Sequence, residues 1–246
     1  MTLFESIKSI IIITLFLCCA PFLVESIKRQ YIFLLEPRTT IAIIPLQQAL
    51  HNSSYIVEQL HTFFKDPLIK GILVKIDCSD TGAGTSQTIF HDLRQLKKEY
   101  PKPIIALVEN SCVSGAYLIA SACDYIIAPE SAIIGNIGTS FNTSSLEQIN
   151  AEKNDAFQNL EIESYQQLVK QVALGRKLSL TTTANWAEGK IFTGTQALAL
   201  GLINEIGSLC TVIKIIKEKA LIENEIEWVN PTNRCFTHLS FKQDTN

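Results

Sequence analysis

The sequence predicts an α/β fold built on a mostly parallel sheet. Two kinds of segment alternate along the chain: short runs of consecutive apolar residues, and stretches with apolar residues at helical spacing. The runs "IKGILVKID" (69–77) and "PIIALVE" (103–109) lack the in–out alternation of a sheet with one wet face, so the strands are expected to be covered on both sides. The chain has 246 residues, 47% apolar and 18% charged, enough to bury such a sheet.

The elements follow in order. "TTIAIIPL" (39–46) reads as the first buried strand, and "SYIVEQLHTFFKD" (54–66) as an amphipathic helix closed by Pro67. The strand 69–77 comes next, then the helix "TSQTIFHDLRQLKKEY" (85–100) and the strand 103–109. "SGAYLIASAC" (114–123) is a short helix and "YIIAP" (125–129) a strand. Helical spacing returns over 144–172 and 181–188, in "TGTQALALGL" (193–202) up to Gly201, and in "LCTVIKIIKEKALIE" (209–223). Three regions result: 1–30, a body over 38–225, and a polar tail over 226–246.

The first region holds sixteen residues without a charge, Ser9 to Val24. As a helix they span about 24 Å, slightly less than a bilayer's hydrocarbon core. Pro21 directly after Ala20 argues against signal-peptide cleavage there, so the expectation is an uncleaved, single-pass anchor. Lys8 before the span, against Lys28 and Arg29 after it, places the body on the cytoplasmic side by the positive-inside rule. The net charge of −3, with no basic stripe, gives no reason to expect nucleic acid. Seven cysteines without a C-x-x-C pair predict reduced, mostly buried thiols. No metal-binding or phosphate-loop motif occurs, and no cofactor is expected. The four histidines (51, 61, 91 and 238) are scattered, which disfavours a Ser-His-Asp triad.

Ser114 is the candidate that local physics singles out. A serine at a strand-to-helix turn lies beside unpaired backbone N–H groups, which could stabilise an oxyanion. Gly115 lets the backbone turn and a substrate approach. The same serine could instead be a helix N-cap, and the residues alone leave both readings open.

The stretch "IKGILVKID" and, after a turn, "PIIALVENSCVSGAYLIASACDYIIAPESAIIGNIG" resembles the core of the bacterial signal peptide peptidases, the protease IV and sohB-like serine peptidases. "GRKLS" (175–179) and "AEGKIFTGTQALALGLINEIGSL" (187–209) resemble that family's C-terminal stretch. The resemblance covers about residues 40–215. It implies a ClpP/crotonase-like fold, a membrane anchor, a homo-oligomeric ring, peptide substrates such as cleaved signal peptides, and a Ser-Lys dyad. The family's Ser-Gly-Gly-Tyr motif reads here Ser114, Gly115, Ala116, Tyr117, which makes Ser114 the nucleophile. The family position also puts the body outside the inner membrane, opposite to the charge flanks.

Departures cluster at the catalytic machinery. The family's Ser-Pro-Gly-Gly loop, which serves the oxyanion hole, reads "CSDTGAG", with Asp80 and Thr81 at the Gly-Gly positions and glycines at 82 and 84. Backbone N–H groups around Asp80, Thr81, Gly82 and Gly115 are the implied oxyanion donors. The family's Thr-Gly-Ser appears as Ile134, Gly135, Asn136. A neutral lysine base requires a pKa lowered by roughly 3 units, about 4 kcal/mol, hence burial. The segment that carries it in the family is shortened here between Gly138 and Tyr165. Lys153, in "NAEKNDAF", is the one lysine between Ser114 and Lys170, and becomes the candidate base. Lys170 and Lys177 match helix-surface positions. The alternative is a catalytically silent relative that binds peptides or serves in an assembly.

Overall fold

The computed structural model describes residues 14, 16, 18–27, 39–50, 52–138 and 154–230. The chain divides into two compact units, Met1–Arg38 and Thr39–Asn246. In the first, residues 18–27 are helical, and Phe22, Leu23, Val24 and Ile27 are exposed. Of the expected span 9–24, residues 9–13, 15 and 17 lie outside the described residues. Among those described, no helix is long and apolar enough to cross a membrane.

The second unit runs β1 (Thr39–Leu50), α1 (Ser54–Lys65), β2 (Ile69–Thr81), α2 (Ala83–Glu99), β3 (Ile104–Val113), α3 (Gly115–Ser121), β4 (Tyr125–Ala128) and β5 (Ile133–Gly135). It continues with α4 (Asn154–Arg176), α5 (Thr183–Trp186), β6 (Ile191–Thr193), α6 (Gly194–Ala199), β7 (Glu205–Ile206), α7 (Leu209–Ala220) and β8 (Ile226–Val229). The strands form one sheet in the order β6-β5-β3-β2-β1-β8, with β4 on β3 and β7 on β4. Every pairing is parallel except β5 with β6.

The expected α/β class with a mostly parallel sheet is what the chain adopts, and the sheet is buried on both faces. Ile72, Val74 and Ile76 of β2 join Ile104, Ala106 and Val108 of β3 in the larger core. The core residues of α1, α2, α3 and α4 pack there as well. The alternate residues Leu73, Ile105 and Leu107 meet Val212, Ile215 and Ile216 of α7 in the second core. This is the period-two consequence of strands whose side chains point to opposite faces.

Helix ends follow local chemistry. α1 buries Ile56, Leu60, Phe63 and Phe64 on one stripe and stops at Asp66, which is extended as a residue before proline tends to be. Its open carbonyls at Phe63 and Asp66 receive the Lys102 ammonium. α6 opens with a capping box between Thr193 and Gln196.

Three strands outrun their apolar runs. β1 extends to Leu50, β2 to Thr81 and β3 to Val113, through polar residues that show no hydrophobic pattern. Backbone pairing of Ala49 with Asp80 and Leu50 with Thr81, together with burial of Cys78, Thr81, Cys112 and Val113, holds these ends. The short strands β5, β6 and β7 carry too few residues for a periodic signal. β8, whose residues 226–229 the sequence reading placed in the polar tail, instead pairs with the start of β1. Of the helix expected over 144–172, residues 144–153 lie outside the described residues.

Candidate active site

The sheet topology gathers the ends of β2, β3 and β5 around Ser114. Ser114 follows β3 directly and occupies the N-cap position of α3, yet its side chain makes no capping hydrogen bond. Its backbone is at φ 54°, ψ −125°, a region that residues with a Cβ rarely enter. Two fixed points hold it there. Its N–H donates to the Gly135 carbonyl of β5 at 2.8 Å, and its carbonyl accepts from Leu118 N–H at 3.1 Å. The cap reading therefore finds Ser114 in the right place but not performing the capping contact, and its hydroxyl is left for other chemistry.

Gly115 is needed for space. A Cβ there would lie 2.8 Å from the Ser86 side chain and 3.0 Å from Thr81 Cβ. This contact seats the start of α3 against the end of β2 and the first turn of α2. The structure thus sets Gly115, next to Ser114, against Thr81. Thr81 is buried, with its hydroxyl 3.3 Å from Cys78 Sγ, while Asp80 is exposed and its carbonyl accepts from that thiol at 3.2 Å. The Gly82 N–H is committed to the Leu50 carbonyl at 3.1 Å. In this arrangement Gly82 offers no free donor to an oxyanion, because the β2 segment is paired as strand with β1.

The Gly135–Asn136 pair shapes the opposite wall. Gly135 has φ 111°, and a Cβ there would lie 2.7 Å from the Lys190 carbonyl. Asn136 follows at φ 46°, with its N–H donating to that same carbonyl at 2.7 Å. Lys190 itself turns its ammonium to the Ala184 carbonyl, with Glu188 3.8 Å away. Lys153 lies outside the described residues. Lys170, on α4, and Lys177, just past its end, are exposed.

Neighbouring groups that could compete as nucleophiles are held neutral. Cys112, two residues before Ser114, is fully buried, and desolvation, reinforced by Cys78 and Cys123, pushes its thiol pKa well up. Burial likewise raises Cys123 to about 12. Tyr117 is buried and donates its hydroxyl to the Leu202 carbonyl at 2.7 Å, which locks α3 onto the loop before β7. His61 faces Asp92 at 3.5 Å and His91 contacts Gln171 at 3.2 Å, both on outer helix surfaces. Among the described residues no group of three or more His, Cys, Asp or Glu could hold a metal ion.

Sequence reasoning set Gly135 and Asn136 at the family's Thr-Gly-Ser position but gave no sign of their left-handed turn. It did not single out Asp77, whose carboxylate accepts hydrogen bonds from Asn110 and Ser111 just upstream of Ser114.

Comparison with known proteins gives a consistent picture. The family described as "Peptidase family S49" matches residues 96–151 and 142–223, which include Ser114 and the C-terminal motifs. A protein of Methanocaldococcus jannaschii named as a protease is 26% identical over 203 residues, 72% of this chain and 65% of the relative. A protein of Enterococcus faecium named as signal peptide peptidase SppA is 26% identical over 210 residues, covering 74% of this chain and 61% of its own length. Protease 4 of Haemophilus influenzae is 26% identical over 200 residues, 68% of this chain and 32% of the relative. The chain spans less than two thirds of the length of these relatives.

Proposed function

The chain belongs to peptidase family S49, and from that premise we propose that it is a membrane-anchored serine endopeptidase that cleaves peptides through an acyl-enzyme on Ser114. The observation that carries this reading is the backbone of Ser114. A serine held at φ 54° at the mouth of a strand–helix turn, with its cap function unused, is costly to keep unless the hydroxyl has another task. In the proposed reaction the Ser114 hydroxyl attacks the peptide carbonyl while a base removes its proton. The N–H of Gly115, with one from the Asp80–Thr81 segment, would receive the oxyanion. The amine then leaves with the proton, and water releases the acyl group. Lys153 is the proposed base; it must be buried away from Glu152 and Asp155 to be neutral at pH 7.

We place the anchor over residues 9–24, with the exposed apolar residues of the 18–27 helix in support, the body on the extracytoplasmic side, and the enzyme as a homo-oligomer. A second reading, a silent peptide-binding relative, is favoured by the commitment of the Gly82 N–H to Leu50 and by the presence of an acidic residue, Asp80, in the segment that would supply an oxyanion donor.

Fluorophosphonate labelling of washed membranes tests the proposal. Wild type should be labelled in the membrane pellet and Ser114→Ala not at all. Removal of residues 1–30 should move the label to the soluble fraction. Lys153→Ala should slow labelling by about a hundredfold or more, the scale of general-base catalysis. An unlabelled wild type favours the silent reading, and labelling that survives Lys153→Ala removes Lys153 from the mechanism.

A further inference from the structure

We propose that Asp77 is a positioning residue for Ser114, holding the irregular end of β3 that aims the nucleophile. The inference rests on the reading of Ser114 given above. Between β2 and β3 the register runs regularly to Ile76↔Val108 and resumes at Cys78↔Cys112. One residue of β2, Asp77, therefore faces three of β3: Glu109, Asn110 and Ser111. The two surplus residues interrupt the β2–β3 ladder, so polar groups on that side lack β2 backbone partners, while Ser111 is already paired with Ile133 of β5.

The Asp77 carboxylate supplies those partners. Its Oδ2 accepts from Asn110 Nδ2 at 2.7 Å, and its Oδ1 accepts from Ser111 N–H at 3.2 Å and from Ser111 Oγ at 3.1 Å. Three donors on one side and an acceptor-only group on the other make a complementary set, which a neutral amide cannot reproduce. Immediately past this clamp, Cys112 and Val113 pair with Ile134 and Gly135 of β5, and the Ser114 N–H reaches the Gly135 carbonyl. A bulge is the usual way to re-aim a residue at a strand end. Here Asp77 fixes where the bulge ends, and so where Ser114 begins. Asp77 touches no reacting atom and acts only through this segment.

Asp77→Asn replaces one acceptor by an N–H₂ group that must face either Asn110 Nδ2 or the Ser111 donors. The experiment measures fluorophosphonate labelling against probe concentration, thermal midpoints, and backbone hydrogen exchange for the peptide covering residues 109–115. Expected for Asp77→Asn is a labelling rate at saturating probe at least tenfold below wild type, with half-saturation and thermal midpoint little changed, and faster exchange in that peptide. Asn110→Ala and Ser111→Ala, each removing part of the set, should fall between. A saturating rate equal to wild type overturns the proposal. If wild type takes no label, the nucleophile reading is what fails. Exchange then decides separately whether Asp77 holds the segment, and unchanged exchange in Asp77→Asn overturns that too.

Discussion

Ser114 carries a backbone conformation that costs a residue with a Cβ about 1–3 kcal/mol. Glycine escapes that cost, less about 0.5–1 kcal/mol for its greater freedom in the unfolded chain. Ser114→Gly should therefore be more stable than Ser114→Ala by about 1 kcal/mol, a rise of about 2–4 °C in thermal midpoint for a domain of this size. Both variants lack the hydroxyl, so the comparison isolates backbone strain; equal midpoints would show that the strain is absent. This strain could not be read from the sequence. "SCVSGAY" announces a strand-to-helix turn, but neither the dihedral angle of its second serine nor that residue's unmade cap hydrogen bond is written in the letters. Asp77 was hidden for another reason: its partners are 33 and 34 residues away, brought close only by strand pairing.

At the scale of elements, α4 is tied to the sheet by its last residue. Arg176 donates through Nε and Nη2 to the Gly201 carbonyl (3.2 and 3.0 Å) and through Nη1 to Asn204 Oδ1 at 2.8 Å. The same Asn204 oxygen accepts from Ile126 N–H at 2.9 Å, so one guanidinium links α4, the turn before β7, and β4. Lysine lacks the planar fork needed to serve both acceptors. Arg176→Lys should cost about 1–2 kcal/mol in urea unfolding, and a loss below about 0.3 kcal/mol would refute the tie. The helices α1, α2 and α7 were legible because each carries a continuous apolar stripe. β5, β6 and β7 were not, since strands of two or three residues have no room for periodicity and exist only through pairing. "CSDTGAG" reads as a loop, but its first half is strand, because pairing with β1 depends on backbone geometry and not on hydrophobicity.

For the molecule as a whole, the double-sided burial foreseen from continuous apolar runs sets how stability responds to pH. Cys123 is buried and its thiol is raised from 9.0 to about 12, chiefly by desolvation, and Cys112 is raised for the same reason. The folded state holds these protons where the unfolded chain releases them. Their contribution is intact below about pH 9 and is lost as pH rises toward the folded values. Urea unfolding at pH 8 and pH 10 should show wild type losing more stability than Cys123→Ala; parallel losses would contradict the assignment.

The pairing of Thr39 with Ile226 has a consequence for how the protein is made. The strand nearest the start of the body finds one of its two neighbours only after nearly all of the body has left the ribosome. Until then Ile41, Leu73 and Ile105 wait for Val212, Ile216 and Trp228 to cover them. A nascent chain can assemble β1 to β3 with α1 and α2 early, but one side of that intermediate stays greasy through most of translation. Final closure is thus a late, long-range event, and the growing polypeptide is most exposed to aggregation and chaperone capture just before α7 emerges.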